Sequence, residues 1–368
     1  MLQLSVVSSD KEFLTLKQDW QILLANSSAN SLFCSWDLAL LFWRVYGSDA
    51  QLKIVCVHRH NQLIGIFPFY VVRHRLMKLF SVRKLRWLGT GGDTSPDYFG
   101  GIVHYRHMEH YQSLLADAVM QLRECWDVCD LRDMHTGVEP RVMREHCLGT
   151  LRYVHTSTQE IIVAKLKSNW DEYLAQLSSN RRQQIRRARR RVFEQEGIQL
   201  DRLSGEEDLE RWFQALVTRH HQRWYEKTES TNAFSSDRYN LFHRQFMRSM
   251  LEHNALRLWG LRKDSSLIAV LYFLSDGQST YYFQGGFDPG YDELKPGMVL
   301  LSCAMEEAIK EGCEVFNMMK GDYHFKRSLA KQQQFTHAAI LIANTFSGLI
   351  YWIRFAVLPK LKHFNPRR

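Results

Sequence analysis

Proline is scarce, with seven in 368 residues, and no segment is of low complexity. With 45% hydrophobic and 12% aromatic residues, this excludes extended disorder and leaves material for two cores. A spanning helix needs roughly 20 apolar residues. The longest apolar stretch near the C-terminus, "LIYWIRFAVL", has ten residues and carries Arg354. The first residues, "MLQLSVVSSDKEF", lack the basic and then apolar regions of a signal peptide, so a cytoplasmic protein is expected. Of the seven cysteines, Cys125 and Cys129 have no matching Cys/His pair at zinc-ligand spacing. Buried, reduced thiols and no metal site are therefore expected. His220 and His221 are adjacent, not one helical turn apart, and have no third ligand. No Gly-x-Ser-x-Gly, Walker A or cysteine-nucleophile signature is present.

What is abundant is local. The net charge is +9, and seven arginines lie between Arg181 and Arg191 in "SSNRRQQIRRARRRVFEQEG". Without them the chain carries +2, so the protein as a whole is not a polyanion binder. Upstream, Trp170, Tyr173, Leu174 and Leu177 recur at helical spacing behind a capping-box-like Ser168 and Asp171. In the arginine run, Ile185, Ala188 and Val192 form a narrow apolar stripe, and Gly197 offers a stop. The run therefore reads as a helix docked along one edge. Three readings stand for its arginines: a solvated, ion-paired face, a grip on phosphates of a small or carrier-linked substrate, or a nucleic-acid contact. The third is the least supported, because neither flexible Gly/Ser flanks nor interleaved aromatics accompany the run.

The chain also repeats itself. "LKIVCVHRHNQLIGI" (52–66) aligns without gaps over "LRLWGLRKDSSLIAV" (256–270), and both read as strand, polar turn, strand. An amphipathic helix precedes each, at 36–47 and 237–253. A strand, a helix and another strand follow each, with "DVCDL" (127–131) over "EVFNM" (314–318). Two copies of one α/β domain are expected.

The string "LSSNRRQQIRRARRRVFEQEG" and the stretch "YYFQGGFDPGYDELKPGMVLLSCAMEEAIKEGCEVFNMMKGDYHFKRSLA" (281–330) resemble GNAT-type acyltransferases of the FemAB/CelD-like group. The first half, around "FCSWDLALLFWRVYG" and "LIGIFPFY", resembles the same group's N-terminal half. The resemblance implies two tandem GNAT-like domains, 1–160 and 161–345. Each is a mixed, mostly antiparallel sheet flanked by helices. A basic amphipathic helix would follow at 346–368, in a tail that suits contact with a membrane surface on its cytoplasmic face.

The implied activity is transfer of an acyl group from acyl-coenzyme A, or from an acyl carrier protein, to an amine or amino-sugar acceptor in polysaccharide or cell-envelope biosynthesis. The alternatives are an aminoacyl-tRNA-dependent, FemAB-like transfer and a non-catalytic binding protein with this fold. The glycine-rich phosphate loop of ordinary GNAT enzymes is missing. In its place "ELKPGMVL" sets Lys295, Gly297, Met298 and Val299 at a helix start, where free amides and the positive end of the dipole suit phosphate. Arg182 and Arg186 join them as donor-binding candidates. In "KGDYHFKRSLA", Lys326 would stabilise developing negative charge, Asp322 would orient it or the amine, and Tyr323 would protonate the leaving group. Tyr282 and Gln284, on one strand face by period two, are substrate-binding candidates, as are Asp288, Asp97 and Tyr98.

Overall fold

The computed structural model describes residues 1–77, 80–91, 97–147, 149–225, 233–321 and 324–358. The expectations for Asp322, Tyr323 and the tail from Pro359 lie outside them. The chain forms two compact units, Met1–Gln159 with Phe335–Arg368 and Glu160–Gln334.

In the first unit the strands are β1 (Leu2–Val7), β2 (Ala50–Arg59), β3 (Gln62–Met77), β4 (Phe80–Trp87), β5 (Ile102–Val103) and β6 (Val128–Met134). They run in the order β1-β2-β3-β4-β6, antiparallel except for the parallel pair β4/β6, with β5 on β3. A parallel pair needs a crossover, and the helix Tyr111–Gln121 lies in that connection. The core is aromatic: Phe67, Phe69, Trp87 and Trp126 are fully buried, with Phe69 stacked on Trp87 at 4.5 Å.

The second unit takes β7 (Leu151–Lys165) from Glu160 on, then β8 (Ile198–Arg202), β9 (Leu256–Lys263), β10 (Ser266–Ser275), β11 (Ser279–Phe287) and β12 (Val315–Asn317), in the order β7-β12-β11-β10-β9-β8. Again one pair, β11/β12, is parallel, and the helix Pro296–Lys310 lies in its connection. The two hairpins that the repeat predicts share a detail. The register slips past Ile64 in β2/β3 and past Ile268 in β9/β10, and these residues stand at the same offset as the aligned sequences. Each unit is thus a mixed α/β sheet, antiparallel but for one pair, with flanking helices.

Two elements differ from expectation. Residues from Phe335 on belong to the first unit, because β13 (Gln332–Ala343) pairs antiparallel with β6 from His337 to Ile342. No local pattern encodes so distant a partner. The expected amphipathic tail helix is a short helix, Phe346–Trp352, capped by Thr345 and widening into a π turn at Ile353–Val357. Its Tyr351 packs against Leu76, Val82, Val128 and Ile342.

The arginine helix spans Ser179–Phe193, with Ser178 accepting the Arg181 N–H at 3.3 Å and Ile185, Ala188 and Val192 buried. The helix before it, Trp170–Ala175, starts one residue later than expected. Asn169 caps it instead of Ser168, accepting the Glu172 N–H at 2.9 Å while its own amide donates to Glu172 Oε1 at 2.8 Å.

Candidate functional site

The site of the second unit begins where two parallel strands part. β11 pairs with β12 over Ser279–Tyr281 and with β10 as far as Phe287. The far half of β11 therefore lies beyond its pairing with β12. A bulge sits in the same strand: Tyr272 pairs with Gln284 and Phe273 with Tyr282, which leaves Phe283 as the extra residue. A bulge re-aims side chains. Tyr282 packs on Phe273 at 5.4 Å, while Phe283 turns to Tyr272 and His243. Gln284 donates to the Tyr239 hydroxyl at 3.4 Å. The period-two expectation that Tyr282 and Gln284 share a face is corrected by this bulge.

A cleft of about 150 Å³ stands beside Tyr282. Leu271, Phe287, Leu301, Phe325 and Leu329 give it apolar walls, and Arg181, Asp292 and Lys295 bring charge. Pro296, Gly297 and Met298, the first turn of the helix Pro296–Lys310, complete the lining. Lys295 adopts a left-handed conformation (φ 52°) and offers no side-chain cap. Its carbonyl takes the N–H groups of Met298 (3.0 Å) and Val299 (3.2 Å). The Gly297 N–H precedes the first helical hydrogen bond, among the amides a helix leaves to other partners. A Cβ at Gly297 would meet only Phe287 Cδ1, at 4.0 Å. The protein leaves that space unfilled, and it lies at the positive end of a helix dipole. The Val299 side chain is fully buried and serves the core.

The arginines divide their work. Arg181 is half-buried at the cleft, where burial lowers its pKa. Arg182 caps the preceding helix end, donating to Ala175 O at 3.1 Å and Leu177 O at 2.9 Å. Arg186 stands 3.9 Å from Asp171 in water, and such exposed pairs contribute little. Arg189 pairs with Glu306 and lies over Trp170, fixing the helix to its neighbour. Arg191 donates to Glu293 O at 3.0 Å. Arg187 and Arg190 are exposed. Arg181, the arginine at the cleft, was missed in the sequence, where nothing separates it from its six companions. The apolar walls Phe287, Phe325 and Leu329 were likewise not singled out in the sequence.

Lys326 is 3% exposed and donates to Met319 O at 3.0 Å and Lys320 O at 2.7 Å. It ties the loop after β12, where Met319 (φ 55°) and Gly321 (φ 105°) are left-handed, to the helix His324–Leu329 that bears Phe325 and Leu329. Lys295 donates to Asp292 at 2.9 Å on the surface. Asp288 caps the turn Pro289–Leu294, accepts the Gly290 N–H at 3.0 Å and pairs with Arg219 at 2.8 Å. Asp97 and Tyr98 (φ 69°) belong to the first unit, where Tyr98 O accepts from the Cys34 thiol at 3.3 Å. The seven cysteines are free thiols, six of them buried. Among the described residues no three His, Cys, Asp or Glu side chains form a metal-binding group.

Comparison with known proteins agrees with this fold. The family described as "Acetyltransferase (GNAT) domain" matches residues 179–327, from the arginine helix to the residue after Lys326. No curated protein matches the chain by sequence. Among solved structures, FemX aligns over 92% of this chain and 98% of its own, with a TM-score of 0.61 at 10% identity. The C-terminal DUF2156 domain of a proposed lysylphosphatidylglycerol synthetase from Agrobacterium fabrum covers 97% of this chain and 96% of its own (TM-score 0.52, 12% identity). A tandem GNAT protein from the clavulanic acid biosynthesis pathway covers 93% and 98% (0.50, 13%). The fold is that of the GNAT acyltransferases in tandem form, structurally related to FemX-like proteins at low sequence identity.

Proposed function

We propose that this protein is a GNAT-fold transferase that moves an acyl or aminoacyl group from a phosphate-bearing carrier to an amine, with the donor held in the second unit. The observation that carries the reading is the joining of three features in one cleft. The strands part there, Gly297 opens a helix with room for close approach, and Arg181 supplies a guanidinium. A phosphate suits the last two, and a narrow apolar slot suits a linear acyl or aminoacyl arm. The residues thus fit such a donor.

The carrier we favour is an aminoacyl-tRNA. Two features support it over coenzyme A: likeness to FemX along nearly the whole chain, and the exposed Arg186, Arg187 and Arg190 on the helix that begins with Arg181. Acyl-coenzyme A, or a carrier protein with the same phosphopantetheine arm, is the second reading. The small cleft volume and the likeness to a tandem GNAT protein favour it.

In either case Tyr282 contacts the transferred group. Lys326 acts as a positioning residue, since it holds the loop and helix that carry Phe325 and Leu329. Asp322 orients the amine and Tyr323 protonates the leaving atom, roles that rest on the resemblance. The nitrogen attacks the carbonyl carbon, the bond to the carrier oxygen or sulfur breaks, Tyr323 gives that atom its proton, and the proton lost by the amine restores Tyr323.

The test is equilibrium binding of bulk aminoacyl-tRNA, acetyl-coenzyme A and longer acyl-coenzyme A to the wild type and to Arg181→Ala. Saturable tRNA binding that weakens steeply with salt, and further in the variant, supports the first reading. Acyl-dependent coenzyme A binding supports the second. Binding of neither donor removes the assignment of the cleft.

A further inference from the structure

The charge of the chain is unevenly placed. No Asp or Glu occurs between Asp49 and Asp93, while eight Lys or Arg do. Asp322 is the last acidic residue, and eight Lys or Arg follow it, four of them beyond Leu358. These two acid-free stretches pack on one another within the first unit. The segment Phe346–Val357 lies on the β3–β4 hairpin, with Phe346 against Phe80 at 6.4 Å and Tyr351 among Leu76 and Val82.

Where they meet, large apolar side chains stand in water. Phe346 is 70% exposed, Phe355 50%, Leu358 45%, Ile353 40% and Phe80 37%. Such residues are a minority among the aromatic and aliphatic side chains of this chain, and five of them belong to this hairpin and the segment that lies on it. Arg354 lies beside Phe355, 5.7 Å from its ring, and the exposed His74, which pairs with Val82, shares this side of β3, while Arg73 and Arg75 face the other. Among the described residues no helix is long and apolar enough to cross a membrane. Exposed apolar groups beside a cation, with the neighbouring acids Asp127 and Asp130 buried and paired with Arg83, Arg86 and Arg132, form the pattern that inserts into the headgroup boundary without spanning it.

We infer that this face of the first unit docks on an anionic lipid surface, with Phe346, Phe355 and Leu358 entering the interface and Arg354 meeting lipid phosphates. RNA would satisfy the cations and leave Ile353 and Leu358 in water. A second copy of the chain would set like charges against one another.

The experiment is sedimentation of the full chain with vesicles of 70:30 phosphatidylcholine and phosphatidylglycerol, and with phosphatidylcholine alone. The chain is expected to pellet with the first and not with the second, and to be released by added salt. Phe346→Ser/Phe355→Ser should lower the partition by about tenfold or more at an unchanged melting temperature, because both side chains are already exposed. Wild-type protein that stays in the supernatant with anionic vesicles overturns the inference. So does a double variant that pellets as well as the wild type. A concentration-dependent dimer that the double variant abolishes, without vesicle binding, assigns the face to self-association instead.

Discussion

Tyr282 and Gln284 stand two residues apart on β11 and face opposite sides of the sheet. Tyr282 lines the cleft, while Gln284 reaches the Tyr239 hydroxyl at 3.4 Å in the layer behind. The bulge at Phe283 is what separates them. Tyr282→Ala is therefore expected to lower donor affinity by about tenfold, the scale of losing one well-packed aromatic contact. Gln284→Ala removes a long, weak hydrogen bond and should leave donor affinity within twofold. Equal losses in the two variants, measured by titration of the donor that binds, would place the donor on both faces and contradict the bulge.

Gly297 separates room for a ligand from room for the fold. Its φ lies outside the left-handed region, and a Cβ there has space. Alanine also forms helix better than glycine by roughly 0.8–1.0 kcal/mol in a helix interior. Gly297→Ala should thus melt at the same temperature or higher. Donor binding should fall severalfold, because the added methyl occupies the approach to the Gly297 amide. A variant that is more stable and binds the donor unchanged shows that the ligand does not come close to this turn.

Lys326 and Arg181 are expected to fail differently. Lys326→Met leaves the Met319 and Lys320 carbonyls without their ammonium, and each buried polar group so abandoned costs about 1–3 kcal/mol. The melting temperature should drop, and Lys326→Arg should restore part of it. Arg181→Ala removes a half-buried cation that forms no ion pair among the described residues, so stability should hold while donor affinity falls. Thermal melts and binding on the same samples separate the two. An undiminished melting temperature for Lys326→Met, with loss of turnover alone, would return Lys326 to the reacting atoms.

Much of the fold was legible because it is written in local periods. The hairpins at 52–66 and 256–270, the helices before them and the stripe Ile185/Ala188/Val192 all announce themselves at spacing two or 3.6. The helix start after Lys295 was legible as well, since Pro296 and Gly297 mark one by chemistry alone. What stayed hidden depends on partners far along the chain. β13 joins β6 across about 200 residues. The bulge in β11 exists only against β10. Which of seven arginines reaches the cleft depends on how the helix is rotated, and the Arg189–Glu306 pair and three buried side chains fix that rotation. Lys326 looked catalytic by motif, and its two carbonyl partners appear only once the loop after β12 is folded.

Acid should loosen both units through buried histidines. His243, in the second unit, is fully buried, neither ring nitrogen has a hydrogen-bond partner among the described residues, and burial lowers its pKa to about 3. His135, in the first, is lowered to about 4, chiefly by burial; its hydrogen bond with Gly101 O opposes the shift and the nearby His337 adds to it. Both folded values lie below the value of about 6.5 for an unfolded histidine, so the unfolded chain binds the protons first as pH falls. The stability these neutral rings permit is complete above pH 6.5 and is lost as pH drops toward the folded values. By pH 5 the loss is roughly 2 kcal/mol per histidine. Denaturant midpoints at pH 7.5 and 5 should show it, and His243→Phe, which keeps an aromatic ring among Tyr239, Phe242 and Phe283, should remove about half of the difference. A pH dependence that is the same in wild type and variant would mean that His243 takes up its proton without unfolding, and that the second unit opens to water at that ring.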